Sequence, residues 1–233
     1  MMPQHPSELN RAGSQDESTA VSFWDELEKA GKMQMRNLIE QIRLVAPVPG
    51  KLLYVTAKKL PFELDEMEPV MLSSLDVTTH LQIARIYMTS SLAAATEFLD
   101  FITAQYPFPI DEIRTYPNWL FSDSSLVQAR HRFTSYAAQK GIRHSILLDP
   151  SDDPIYRIVK NFFFGSVFER SLVPFTQERL MDEVINFLFF HNNHRSLPTL
   201  GGQTPIQMLQ SFAEYRHIEH FDPYAPTRSL HVR

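Results

Sequence analysis

The sequence predicts an α/β fold in which a mixed five-stranded sheet is flanked by helices and preceded by a helical arm. Three observations lead there. Five short segments rich in β-branched and aromatic residues carry the signature of strands. Longer segments between and after them repeat their apolar residues with the period of a helix. The order β-β-β-α-β-α-β-α is that of a mixed sheet with helices on its faces, the arrangement of the ribonuclease H-like fold.

The elements follow in order. Residues 1–20 are rich in Ser, Gln, Asn, Pro and Gly, have no period, and read as disordered. From Ser22 onward Phe23, Trp24, Leu27, Met33, Met35, Leu38, Ile39 and Ile42 mark an amphipathic arm over 21–50, one helix or two broken near Gly31, stopped by Pro47-Val48-Pro49-Gly50. Leu52–Ala57, Val70–Leu75 and Leu81–Tyr87 are three strands. Ser91 caps a helix running to Gln105, and Ile110–Thr115 is the fourth strand. A helix over Ser124–Lys140 ends at Gly141, and Ile142–Leu148 is the fifth strand. Helices are then expected over 154–168, 177–190 and 205–215, so that the core domain spans 51–212 and a tail follows over 213–233.

Composition narrows the function classes. The chain has 233 residues and 43% hydrophobic content, enough for one well-filled domain. It has no cysteine, which excludes disulfides, thiolate zinc sites and cysteine nucleophiles. Neither a membrane-spanning run nor a signal-peptide core is visible, so a soluble cytoplasmic protein is expected, without a membrane partner. Net charge is −5, the wrong sign for strong phosphate binding. Local basic patches at Arg130-His131-Arg132 and Lys140–His144 leave weak DNA contact open.

The most specific stretch lies near the C-terminal end. His191-Asn192-Asn193-His194-Arg195-Ser196-Leu197-Pro198-Thr199-Leu200-Gly201-Gly202-Gln203-Thr204-Pro205 resembles the closing signature of retroviral-integrase-type (DDE) transposases and integrases, Tyr-Asn-x-x-Arg-Pro-His-x-x-Leu-Gly-Gly-x-Thr-Pro. Asn192, Arg195, Gly201, Gly202, Thr204 and Pro205 carry the match, with Leu200 in register. Lys58-Lys59-Leu60-Pro61, Asp76, Phe108-Pro109-Ile110 with Arg114-Thr115, and Gly141-Ile142-Arg143-His144 resemble further family segments in the family's order. The resemblance extends over residues 51–210 and implies a ribonuclease H-like catalytic core of the DNA-integration family.

That family's chemistry needs three carboxylates to hold two divalent ions, usually magnesium, for in-line phosphoryl transfer. The resemblance puts Thr56 at the first carboxylate position and Tyr116 at the second. The third falls on Asn161, or on Glu169 if one residue is inserted. A neutral hydroxyl and a phenol cannot replace two anionic oxygens, so no catalytic residue is expected to be intact and no metal or other cofactor is expected. The copy reads as degenerate, a pseudoenzyme.

Other acids could in principle replace these carboxylates. Asp65, Asp76, Asp111, Asp123, Asp149, Asp152 and Asp153 are available, although turn and cap roles suit them better. His191 with His194, and His217 with His220, lie three apart on predicted helix ends, a spacing that brings imidazoles to one face, but neither pair has a third ligand at fixed spacing. Phe162-Phe163-Phe164 and Phe187-Leu188-Phe189-Phe190 are too continuous to be buried entirely by helices of 3.6-residue period, so part of this surface meets either the C-terminal tail or a second subunit, and a homo-oligomer through these late helices is expected. The expected function is thus a nucleic-acid-binding or protein-assembly module that has lost metal-dependent strand transfer. The alternative is an active recombinase or nuclease using Mg2+ or Mn2+ on relocated carboxylates.

Overall fold

A computed structural model describes residues 31–60, 63, 66–118, 120–121, 132–148, 153 and 176–225. The N-terminal segment 1–20, the helix expected over 154–168 with Asn161, Glu169 and the Phe162–Phe164 run, and residues 226–233 of the tail lie outside the described residues.

Five strands form one sheet: β1 Leu53–Lys59, β2 Val70–Asp76, β3 Gln82–Tyr87, β4 Glu112–Thr115 and β5 Arg143–Ile146. Their order is β3-β2-β1-β4-β5. The first three make an antiparallel meander, with Thr56 opposite Ser73 and Ser73 opposite Ala84. β4 and β5 run parallel to β1, and the helices between them are the crossovers that parallel neighbours require. This is the mixed five-stranded, ribonuclease H-like sheet that the element order predicts.

Helices cover both faces. The described part of α1 spans 31–45, and it is followed in the chain by α2 Leu92–Gln105, α3 Arg132–Gln139, α4 Gln177–Asn193 and α5 Pro205–Gln210. On one face, Leu53, Val55, Leu72 and Ile83 meet Phe98, Leu99 and Ile102 of α2 and Phe133 and Ala137 of α3. Successive strand side chains point to opposite faces, so the residues between these serve the other side. There Leu52, Tyr54, Leu75 and Val77 bury Ile42 of α1 and Ala46 just after it. Farther along the same face, Leu60, Met71 and Ala84 receive Leu180, Val184 and Leu188 of α4, a stripe at helical spacing. β2 is an interior strand, between β3 and β1, and all seven of its residues are buried.

Local chemistry sets the boundaries. Ser91 accepts from the Ala94 amide and starts α2. Gly50 bends the chain into β1 with φ of 78°, and a Cβ there would meet the Pro109 carbonyl oxygen at 2.0 Å, so no larger residue fits. Two expectations are corrected. The helix expected over 205–215 stops at Gln210, because Phe212 is extended (φ −86°, ψ 130°) and only a 3-10 turn, Ala213–Tyr215, follows. His217 and His220 consequently lie in turn and coil rather than on a helix, and both are exposed.

Candidate functional site

Thr56 and Tyr116 share one face of the sheet. Val55 pairs with Thr115, so Tyr116 follows the last paired residue of β4 at the level of Thr56. The Thr56 hydroxyl lies 3.2 Å from the Ser73 hydroxyl on β2. The Tyr116 ring stacks on Tyr54 with centroids 6.3 Å apart and planes 11° from parallel, and packs against the Leu52, Leu75 and Val77 cluster. One step back along the strands, the Tyr54 hydroxyl donates to Asp153.

The acids nearest this trough are matched to arginines. Arg114, beside Tyr54 in the register, lies 3.9 Å from the Asp153 carboxylate and donates to Glu112 at 2.8 Å. Arg143 reaches the other Glu112 oxygen at 3.0 Å, and the Ser145 hydroxyl donates to Glu112 at 2.9 Å. Burial works against the Glu112 anion, yet the hydrogen bonds from Arg114 and Ser145 and the two nearby guanidinium charges hold its carboxyl below the usual range. A pair of magnesium ions requires several anionic oxygens. Thr56 and Tyr116 supply neutral ones, Glu112 and Asp153 have cationic neighbours, and no group of three His, Asp or Glu able to hold a metal occurs among the described residues.

Asp76 has a different role. Fully buried at the end of β2, it accepts from the Gly50 amide at 2.8 Å and from the amide and hydroxyl of Thr79, each at 2.7 Å. Its backbone carbonyl accepts from the His80 amide. Asp76 therefore ties the end of the arm to the β2–β3 turn. Burial raises its pKa to about 6 against the opposing effect of these donors.

The signature segment encloses a second buried polar cluster. Asn192, fully buried, accepts from the Gln82 amide and donates to the Gln82 carbonyl, both at 2.9 Å. Its carboxamide thus makes the two bonds to the edge of β3 that another strand would make. Beside it, His191 Nε2 lies 3.0 Å from the His80 carbonyl oxygen, and the Thr199 hydroxyl is 3.2 Å from His80 Nδ1. Gly201 adopts φ of 67° to close the Pro198–Leu200 turn, after which the Gly202 amide donates to Leu197. Thr204 and Gln207 form a reciprocal capping box at the start of α5, with Pro205 at the first helical position. These residues fasten the end of α4 to the β2–β3 turn. The imidazoles of His191 and His194 do not act together: His191 is buried, while His194 is exposed and lies near Phe189 and Phe190.

Sequence reasoning missed the Asn192 clamp and the Tyr54–Asp153–Arg114 cluster. A polar Asn within an apolar helix stripe was the available signal for the first. Nothing local signals the second, since Tyr54 and Asp153 are far apart in sequence.

With this geometry in hand, comparison with solved structures shows what kind of sheet this is. The chain superposes with a TM-score of 0.55 at 13% identity on a chain of the simian T-cell lymphotropic virus intasome, a complex with PP2A regulatory subunit B56 gamma, over 71% of this chain and 56% of that one. The fold is that of retroviral integrase catalytic cores. At lower similarity, with TM-scores of 0.47 and 13% identity, stand the HTLV-2 integrase catalytic core solved with magnesium in a dimeric form (70% of this chain, 99% of that one) and the BIV integrase core (69% and 93%). No protein-family profile matches the chain, and no curated protein matches it. The chain spans little more than half the length of the intasome chain it matches. Among its described residues, no helix is long and apolar enough to cross a membrane.

Proposed function

We propose that this chain is a degenerate integrase-like core that has lost metal-dependent strand transfer and works as a protein-assembly module with at most weak affinity for DNA. One observation carries the proposal. At the positions where the family resemblance puts two metal-binding carboxylates the chain has neutral side chains, Thr56 beside Ser73 and Tyr116 stacked on Tyr54, and the adjacent acids are engaged with Arg114 and Arg143. Assembly is favoured over nucleic-acid binding on two grounds. The net charge of −5 is unfavourable for phosphate contacts, and α4 exposes Phe190 at 54% and Phe189 at 37% on the side away from its Leu180–Leu188 stripe. A homo-oligomer formed across this aromatic flank is the expected state.

Three readouts on the full chain test this. Plasmid nicking in Mg2+ or Mn2+ stays at background, light scattering gives the mass of an oligomer, and Phe190→Glu returns it to the monomer. DNA binding in a gel shift is lost on going from low to physiological salt. Nicking that depends on Asp153 or Glu169 would replace the proposal with an active nuclease using relocated ligands. Tight DNA binding at physiological salt would make nucleic acid, rather than a second subunit, the principal partner.

A further inference from the structure

A groove of about 560 Å³ runs between α1 and the signature segment with α5. Ile39, Ile42 and Ala46 form one wall, and Leu200, Met208 and Phe212 the other. Thr78 and Thr199 are buried polar groups in its lining. The volume lies within the range of sites for small organic ligands, and the pattern of apolar walls with a few polar groups is theirs too.

Arg43 gives the groove a charge preference. It lines the site from α1 and is exposed. Glu40, on the preceding turn of the helix, pairs with Arg36 at 3.6 Å, and among the described residues no salt bridge engages Arg43. A guanidinium beside apolar walls selects for a molecule whose apolar body ends in an anion, since burying the body is favourable and the planar fork matches a carboxylate or sulfonate. An apolar cation would meet like charge at the same place. We propose that this groove binds a small amphiphilic anion, an aromatic or aliphatic body carrying one carboxylate or sulfonate, with the anion on Arg43 and the body between Ile39 and Met208. The site lies at the junction of the arm and the signature segment, and it is independent of the loss of strand transfer.

The test compares two dyes on the full chain. Anilinonaphthalene sulfonate is an apolar anion, and phenylnaphthylamine has the same rings without the charge. The sulfonate is expected to bind saturably and about tenfold more tightly than the neutral dye, with shifts of the Gly201, Gln203 and Ser211 amide resonances. Arg43→Gln, a substitution at an exposed position that leaves the fold intact, is expected to equalise the two dyes while retaining the neutral one. The proposal is overturned if the sulfonate keeps its advantage in Arg43→Gln, if neither dye saturates, or if the resonances that move are those of Phe189 and Phe190 instead.

Discussion

Replacing Asn192 with Ala is expected to lower the unfolding free energy by about 3–5 kcal/mol, the largest effect of any single substitution in the signature. The reason is specific. The Gln82 amide and carbonyl are buried with Asn192 as their partner, and each loses its hydrogen bond without gaining water, at a cost of about 1–3 kcal/mol per group, with the lost side-chain packing added. Against a typical total of about 5–15 kcal/mol this approaches unfolding. Asn192→Asp discriminates further: it keeps the acceptor for the Gln82 amide, loses the donor to the carbonyl and buries a charge, so it is not expected to rescue. Gln207→Ala, which removes half of the α5 capping box, is the mild comparison at about 1 kcal/mol. Guanidinium denaturation measures all three. A loss below 1 kcal/mol for Asn192→Ala would mean that α4 is held to β3 chiefly by its apolar stripe.

The second large effect is a loss of stability on mild acidification. His80 is fully buried and its pKa is lowered to about 3, by desolvation first and then by the nearby His191. His191 is lowered to about 4, by desolvation and the Arg195 charge, against the opposing effect of its hydrogen bond to the His80 backbone. Between pH 6.5 and pH 4 the unfolded chain takes up these two protons and the native chain does not, so stability falls as pH falls through that window. Asp76 acts in the opposite sense. Its native pKa of about 6 lets the folded protein hold a proton that the unfolded chain releases, so below pH 6 it returns part of the loss. At about 1.4 kcal/mol per pKa unit, the three groups together remove about 2 kcal/mol between pH 6.5 and pH 5. His80→Asn isolates the effect, because Asn tolerates the left-handed backbone at this position, φ 58°. Most of the acid loss should vanish in this variant when denaturation is repeated at both pH values. An unchanged pH slope would assign the acid sensitivity to other groups.

The sheet was legible because its signals are local. β-branched runs, the Ser91 cap and the turn at Gly141 each fix one boundary within a few residues, and the element order then restricts the topology. Where two physical effects compete within one segment, the sequence was less informative. The apolar period over 205–215 continues beyond α5, but an extended Phe212 turns the chain so that Tyr215 can pack edge-on against Phe108, centroids 6.1 Å apart. The three-residue spacing of His191 and His194 suggested a shared face, and the packing of α4 against the β2–β3 turn buried only the first.

The candidate site was legible in part. The resemblance assigns Thr56 and Tyr116 to two carboxylate positions, and each follows the last paired residues of β1 and β4, Val55 and Thr115. That the neighbouring acids would be matched to arginines could not be read, since those contacts join β4, β5 and Asp153 across long sequence separations. The signature itself acquires a physical meaning that a motif alone does not give: Asn192, Gly201, Thr204 and Pro205 build a clamp and a helix start, which a protein needs for its fold whether or not it cuts DNA.

The most direct test of the proposed absence of a working metal site is a calorimetric titration of Mn2+ into the full chain at neutral pH. The expected result is a heat of dilution without saturation, because Thr56 and Tyr116 offer no anionic oxygen and Arg114 and Arg143 attend the adjacent acids. A saturable isotherm with two ions per chain, abolished by Asp153→Asn or Glu169→Gln, would contradict it.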